Sequence, residues 1–211
     1  MGGEDGASYA GFLLPGMVTM VVLFSAIFAS MSLIQDRQGG FLQSVLVSPA
    51  PSWAIAGAKV LGGTVIATTQ ALVLLLGAIV VGLAPGAGGW LGAALASALV
   101  SVAVIGLGLA AAWRINSTAG FHGVMNMVLM PMWLLSGALF PAEGAAGWLR
   151  AVMLANPLHW ATRAMGGSLG IGPPAGAWAW AGTLLFAAAM FGAACLAMRT
   201  RTAGTAGPVA E

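Results

Sequence analysis

Charge is what this chain has least of: 6% of its residues are Asp, Glu, Lys or Arg, against 60% hydrophobic, and its mean hydropathy is +0.97. That scarcity excludes a soluble domain, which needs far more polar surface. Residues 6–35, 60–113, 115–142 and 164–198 contain none of these four residue types. Each run can cross a hydrocarbon core of about 30 Å, which takes roughly 20 apolar residues. Cysteine is nearly absent too. The lone Cys195 excludes an intramolecular disulfide and reads as a small buried hydrophobe. There is no HExxH pair, no paired base or preceding glycine around Ser136-Gly137, and no phosphate-cradling Gly-Lys-Ser/Thr loop. Intramembrane hydrolysis and nucleotide hydrolysis by the chain itself are therefore not expected. The net charge of +2 is spread without a basic cluster, which argues against nucleic acid binding.

What is present is apolar helix. The runs are continuous and rich in Ala and Leu, where barrel strands would alternate over about ten residues. The expected fold is an all-α integral membrane domain over 1–211, with about five spans at 12–34, 60–83, 91–112, 121–140 and 178–198. The cluster Pro85-Gly86-Ala87-Gly88-Gly89 separates the second span from the third. Trp90 and Trp113 bracket the third, and Trp178 and Trp180 open the fifth, as at membrane interfaces. Small residues at helical spacing, Ala93, Ser97 and Ser101 or Ala188 and Gly192, would allow close helix approach. The acidic start lacks the basic region of a secretory signal, so no cleaved leader is expected.

Orientation follows from the excess of Lys and Arg in cytoplasmic loops. One set of loops holds Arg37, Lys59, Arg114, Arg199 and Arg201, the other Arg150 and Arg163. The first set is expected in the cytoplasm, placing the C-terminus and residues 35–59 inside the cell membrane and the N-terminus outside.

Residues 35–59 form a polar island between uncharged runs. Phe41, Leu42, Val45 and Leu46 fall on one stripe of a short helix, with Gln43 and Ser44 opposite. Gly39-Gly40 precede this helix and Ser48-Pro49-Ala50-Pro51 end it, since proline cannot continue the ladder. Such a helix either lies on lipid headgroups or serves as a hold for a cytoplasmic partner.

The order of Asp36, Arg37, Gly40, Leu42, Leu46, Ser48, Pro49, Gly57 and Lys59 resembles the first cytoplasmic loop of ABC-2 type exporter permeases. The stretch from Tyr9 through Phe12 and Pro15-Gly16 resembles the entry to that family's second span. Met130-Pro131, Ser136-Gly137, Phe140-Pro141 and Asn156-Pro157-Leu158-His159-Trp160 resemble its later blocks. The resemblance implies a permease subunit that dimerises, binds no cofactor itself, and pairs with an ABC ATPase carrying the ATP and magnesium. The coupling residues would be Asp36, Arg37, Gly40, Phe41, Leu42, Val45, Leu46, Ser48 and Pro49. Gln43 stands where many members carry Glu, and no basic residue accompanies Trp53, so no particular salt bridge to the ATPase is implied. Members usually have six spans, and this sequence starts at what resembles the second. The first is then missing from the start, absent from a shortened member, or supplied by another chain.

Residues 141–177 are too polar to cross, and Trp148, Leu149, Val152, Met153 and Leu154 give them partly apolar helical character. The region reads as an interfacial loop, with Asn156-Pro157 as a helix stop and His159 as an interface residue. The resemblance instead implies short external helices closing an exit, with Trp148, Asn156, Pro157, His159 and Trp160 at the gate. Asn126, Met127, Met130 and Ser136 are assigned to a pathway between two permeases, Met being adaptable to varied apolar cargo. His122 reads as an interfacial group. The alternative is a secondary transporter or channel, which would want buried carboxylates or broken helices. The spans hold no carboxylate, and only Pro131 hints at a break.

Overall fold

The computed structural model describes residues 4–41 and 51–199, which are helical apart from short connections, with no strand among them. The helices are α1 Glu4–Gln38, α2 Ser52–Leu75 with a further turn Gly77–Val80, α3 Ala87–Ala112 and α4 Thr118–Leu134. A 3-10 turn at Ala142–Gly144 leads to α5 Gly147–Ala155, α6 Pro157–Ser168 and α7 Ala177–Arg199. Tyr9–Gln38, Ser52–Val80, Ala87–Ala112 and Ala177–Arg199 are long and apolar enough to cross a membrane.

Local chemistry sets the ends. Gly40 adopts φ 77°, a left-handed turn that stops α1 at no steric cost. Pro51, extended at φ −67° and ψ 147°, precedes α2. Ser117 caps α4 by accepting from the Gly120 N–H at 3.3 Å.

α3 is the central helix, packed against α1, α2, α6 and α7. Its buried residues run right round it, from Ala93 to Ala112. Between helices in lipid there is little hydrophobic driving force, so close packing through small side chains has to hold the bundle. α2 presents Ala56, Gly63, Ala67 and Ala71 inward. A Cβ on Gly106 of α3 would lie 2.7 Å from the Met190 carbonyl oxygen, so α3 and α7 touch backbone to backbone there. Buried hydroxyls bond within their own helices, Ser97 to the Ala93 carbonyl at 2.8 Å and Ser101 to that of Ser97 at 2.7 Å.

Several boundaries differ from the sequence reading. The island is shorter, because 35–38 complete α1 and Ser52 through Lys59 open α2; only 39–51 connect them. The fourth span was expected to reach residue 140, but α4 ends at Leu134 after 17 residues, about 25 Å at 1.5 Å per residue. The chain then turns through Gly137 at φ 86° while still inside the bundle. An apolar run alone does not distinguish a lipid-facing helix from a protein-buried turn. In α7 the inward stripe is Ala179, Thr183, Ala187 and Ala194, whereas Ala188 is exposed and a Cβ on Gly192 would meet nothing within 4 Å. Cys195 is half-buried.

Candidate functional site

The base of the 39–51 connection is cross-braced. Asp36, in the last turn of α1, forms an ion pair with Lys59 of α2, each side chain about a quarter exposed (26% and 25%). The Lys59 ammonium also donates to Ser32 Oγ at 3.2 Å. Arg37, one residue on, turns toward the other neighbour. Its Nη2 donates to the carbonyls of Ala112 at 3.3 Å and Trp113 at 3.1 Å, and its Nη1 to Asn116 Oδ1 at 2.9 Å and the Ile115 carbonyl at 3.5 Å. The guanidinium carbon stands 5.3 Å from the Trp113 ring centroid, over its face. Gln38 adds a bond from Nε2 to the Asn116 carbonyl at 3.1 Å. The last carbonyls of a helix lack intrahelical donors and carry partial negative charge, so a planar cation with five N–H groups suits them. Phe41 and Trp53 stand exposed on either side of the connection. Leu42, Val45, Leu46, Ser48 and Pro49 lie outside the described residues.

At the opposite end of the bundle, α5 and α6 form a hairpin whose tip is Asn156. The side chain of Asn156 accepts from the Leu158 N–H at 3.0 Å and so caps α6, with Pro157 in the first turn. Its amide nitrogen donates to the Met132 carbonyl of α4. Asn156-Pro157 is therefore a helix start as well as a stop. His159, expected at an interface, is buried: its Nδ1 lies 2.9 Å from the Ser136 carbonyl oxygen and must carry the proton, while its ring stacks on Trp178 at 6.4 Å. Trp160 donates from Nε1 to the Leu154 carbonyl at 2.8 Å. Leu158, Ala161, Thr162 and Met165 bury α6 against α1, α3 and α7, so this segment is not an interfacial loop. Backbone leaving helical geometry at membrane depth is tolerated only where protein groups satisfy it. Here hairpin side chains supply donors to the end of α4. Trp148 alone of the expected gate residues is strongly exposed, at 72%.

The expected pathway residues separate. Phe121, Met125 and Leu129 are the buried side of α4, whereas Asn126, Met127 and Met130 share its exposed side. Ser136 is buried beyond the helix end, donating from Oγ to the Trp133 carbonyl at 2.6 Å. His122 packs edge-on against Phe28 and Phe121. A groove of about 770 Å³ between α1 and α2 is lined by Met17, Met20, Phe24, Phe28, Ile66 and the bonded pair Ser25 and Gln70. A second cavity of about 550 Å³ opens among the N-terminal part of α1, the turn after α4, and α6, with His159, Thr162 and Arg163 on its polar wall. Sequence reasoning missed Asn116, Trp133 and Thr162, whose partners lie 79, 117 and 143 residues away.

A bundle of long apolar helices with a braced connection at one end and a helical hairpin at the other defines a polytopic helical membrane protein. The family model described as ABC-2 type transporter matches residues 2–170, and the chain belongs to that family. Relatives named probable multidrug ABC transporter permease YbhR, from Escherichia coli strain K12 and Escherichia coli O157:H7, are each 29% identical over 153 residues. The match covers 72% of this chain and 41% of the relative's length.

Proposed function

We propose that this chain is a membrane permease subunit of an ATP-driven exporter, working as a dimer and coupled through residues 35–59 to a separate ABC ATPase. The braced base of the connection carries the proposal. A push on the connection has to enter the bundle without being absorbed, and Asp36, Arg37 and Lys59 tie its two ends to each other and to α3. The exposed aromatic rings of Phe41 and Trp53 supply apolar contact beside it. Charge-free spans favour an external energy source, and the family membership supports the same reading. In this account the connection and the C-terminus face the cytoplasm, ATP and magnesium reside on the partner, and the hairpin of α5 and α6 closes the outer end.

Asn126, Met127 and Met130 would line the path between two permeases, where flexible thioethers suit varied apolar cargo. The multidrug naming of the relatives favours hydrophobic or amphipathic small molecules. Affinity purification of the tagged chain from its native membranes tests the proposal: an ABC ATPase is recovered with it, and reproducible recovery of the folded chain without one overturns it.

A further inference from the structure

Arg37 is bonded to the turn between α3 and α4. Its acceptors, on Ala112, Trp113, Ile115 and Asn116, end α3 and lead directly to the Ser117 cap of α4. Asp36, its neighbour, bonds instead to α2 through Lys59. Two successive residues of α1 thus divide the base of the connection between two different neighbours. We infer that Arg37 is the positioning residue that carries displacement of the connection into α4, the helix bearing Asn126, Met127 and Met130, while Asp36 and Lys59 carry it into α2.

The geometry favours Arg37 as a rigid link. Four acceptors on one short turn fix a planar fork in both position and rotation, which a single ammonium on a flexible stem cannot do. The stack on Trp113 restrains the guanidinium from its face. Gln38 reinforces the same turn through Asn116. Farther along the helices, Phe28 of α1 meets His122 of α4 with ring centroids 5.8 Å apart, so a shift of the turn is guided along the same pair of helices.

This inference rests on the ATPase-coupled reading, and the experiment separates the two. Spin labels are placed at Val124→Cys on α4 or Leu61→Cys on α2, both exposed, in a Cys195→Ala background of the complex purified from native membranes. Spectra are compared without nucleotide and with MgATP and orthovanadate. With Arg37 intact, both labels respond; no response at either overturns the coupling reading itself. With Arg37→Ala or Arg37→Lys, the response at Val124→Cys is lost and that at Leu61→Cys persists. A Val124→Cys response that survives both substitutions overturns the inference and leaves the coupling reading standing. Asn116→Ala, which removes one exposed acceptor, serves where the Arg37 variants fail to assemble: a reduced Val124→Cys response supports the link, and an unchanged one overturns it.

Discussion

The indole N–H of Trp133 donates to the main-chain carbonyl of Gly16 at 2.9 Å, joining α4 to α1. Just beyond, a Cβ built on Gly16 would lie 2.6 Å from the Ala138 Cβ and 2.8 Å from its carbonyl oxygen. Only glycine admits that approach. The contact holds the end of α4 inside the bundle and gives the α5 and α6 hairpin something to close on.

Gly16→Ala should therefore destabilise the purified protein by about 1–3 kcal/mol, the usual cost of overpacking a tight contact. Gly62→Ala, inside α2 where a Cβ would meet nothing within 4 Å, should instead stabilise by up to about 1 kcal/mol, the helix preference for Ala over Gly. Thermal unfolding in detergent compares them, and equal midpoints would refute the close approach.

His159→Ala removes the donor to a buried carbonyl, an omission worth about 1–3 kcal/mol. The loss should appear as a lower unfolding midpoint and faster proteolysis of the segment around α5. Were His159 a solvated interface group, neither measure would move.

The ion pair of Asp36 and Lys59 predicts a reciprocal pattern. Asp36→Lys and Lys59→Asp should each weaken the protein, and the double reversal should recover most of the loss. Because the pair is partly exposed, a coupling of about 0.5–1 kcal/mol is expected from a double-mutant cycle. Additive single effects would mean that the two side chains act independently.

On the exposed side of α4, Asn126→Leu and Met127→Leu should leave the unfolding midpoint within about 0.5 kcal/mol of the parent. They should nonetheless alter ATP-dependent efflux of lipophilic dyes from cells producing the complex. Unchanged efflux across a dye panel would remove these residues from the pathway.

The helical, membrane-embedded class was legible because charge-free runs longer than a bilayer is thick have few alternatives. The glycine pair at 39–40 reads in the sequence as opening the short loop helix, with the first span ending at 34; α1 in fact runs on to Gln38, and Gly40 in the left-handed region is the local feature that stops it. The end of α4 was not legible, since residues 135–140 are as apolar as the helix before them and only the tertiary contacts of Gly16, Asn156 and His159 reveal that Ser136 and Ala138 are buried in a turn. Asn156-Pro157 carried a usable signal, a capping side chain followed by proline in the first helical turn, which marks the start of α6 as clearly as it marks a stop. Arg37 showed where a cation sits in sequence. Its acceptors, 75 to 79 residues away, left no local trace.

The most direct test of the account places a photo-crosslinking residue at Phe41, exposed beside the connection, or at Trp148, exposed at the other end of the bundle, and irradiates native membranes. The account predicts that the Phe41 probe captures an ABC ATPase subunit and the Trp148 probe does not. Capture of that ATPase from Trp148, or its absence from Phe41 in a well-inserted protein, would contradict it.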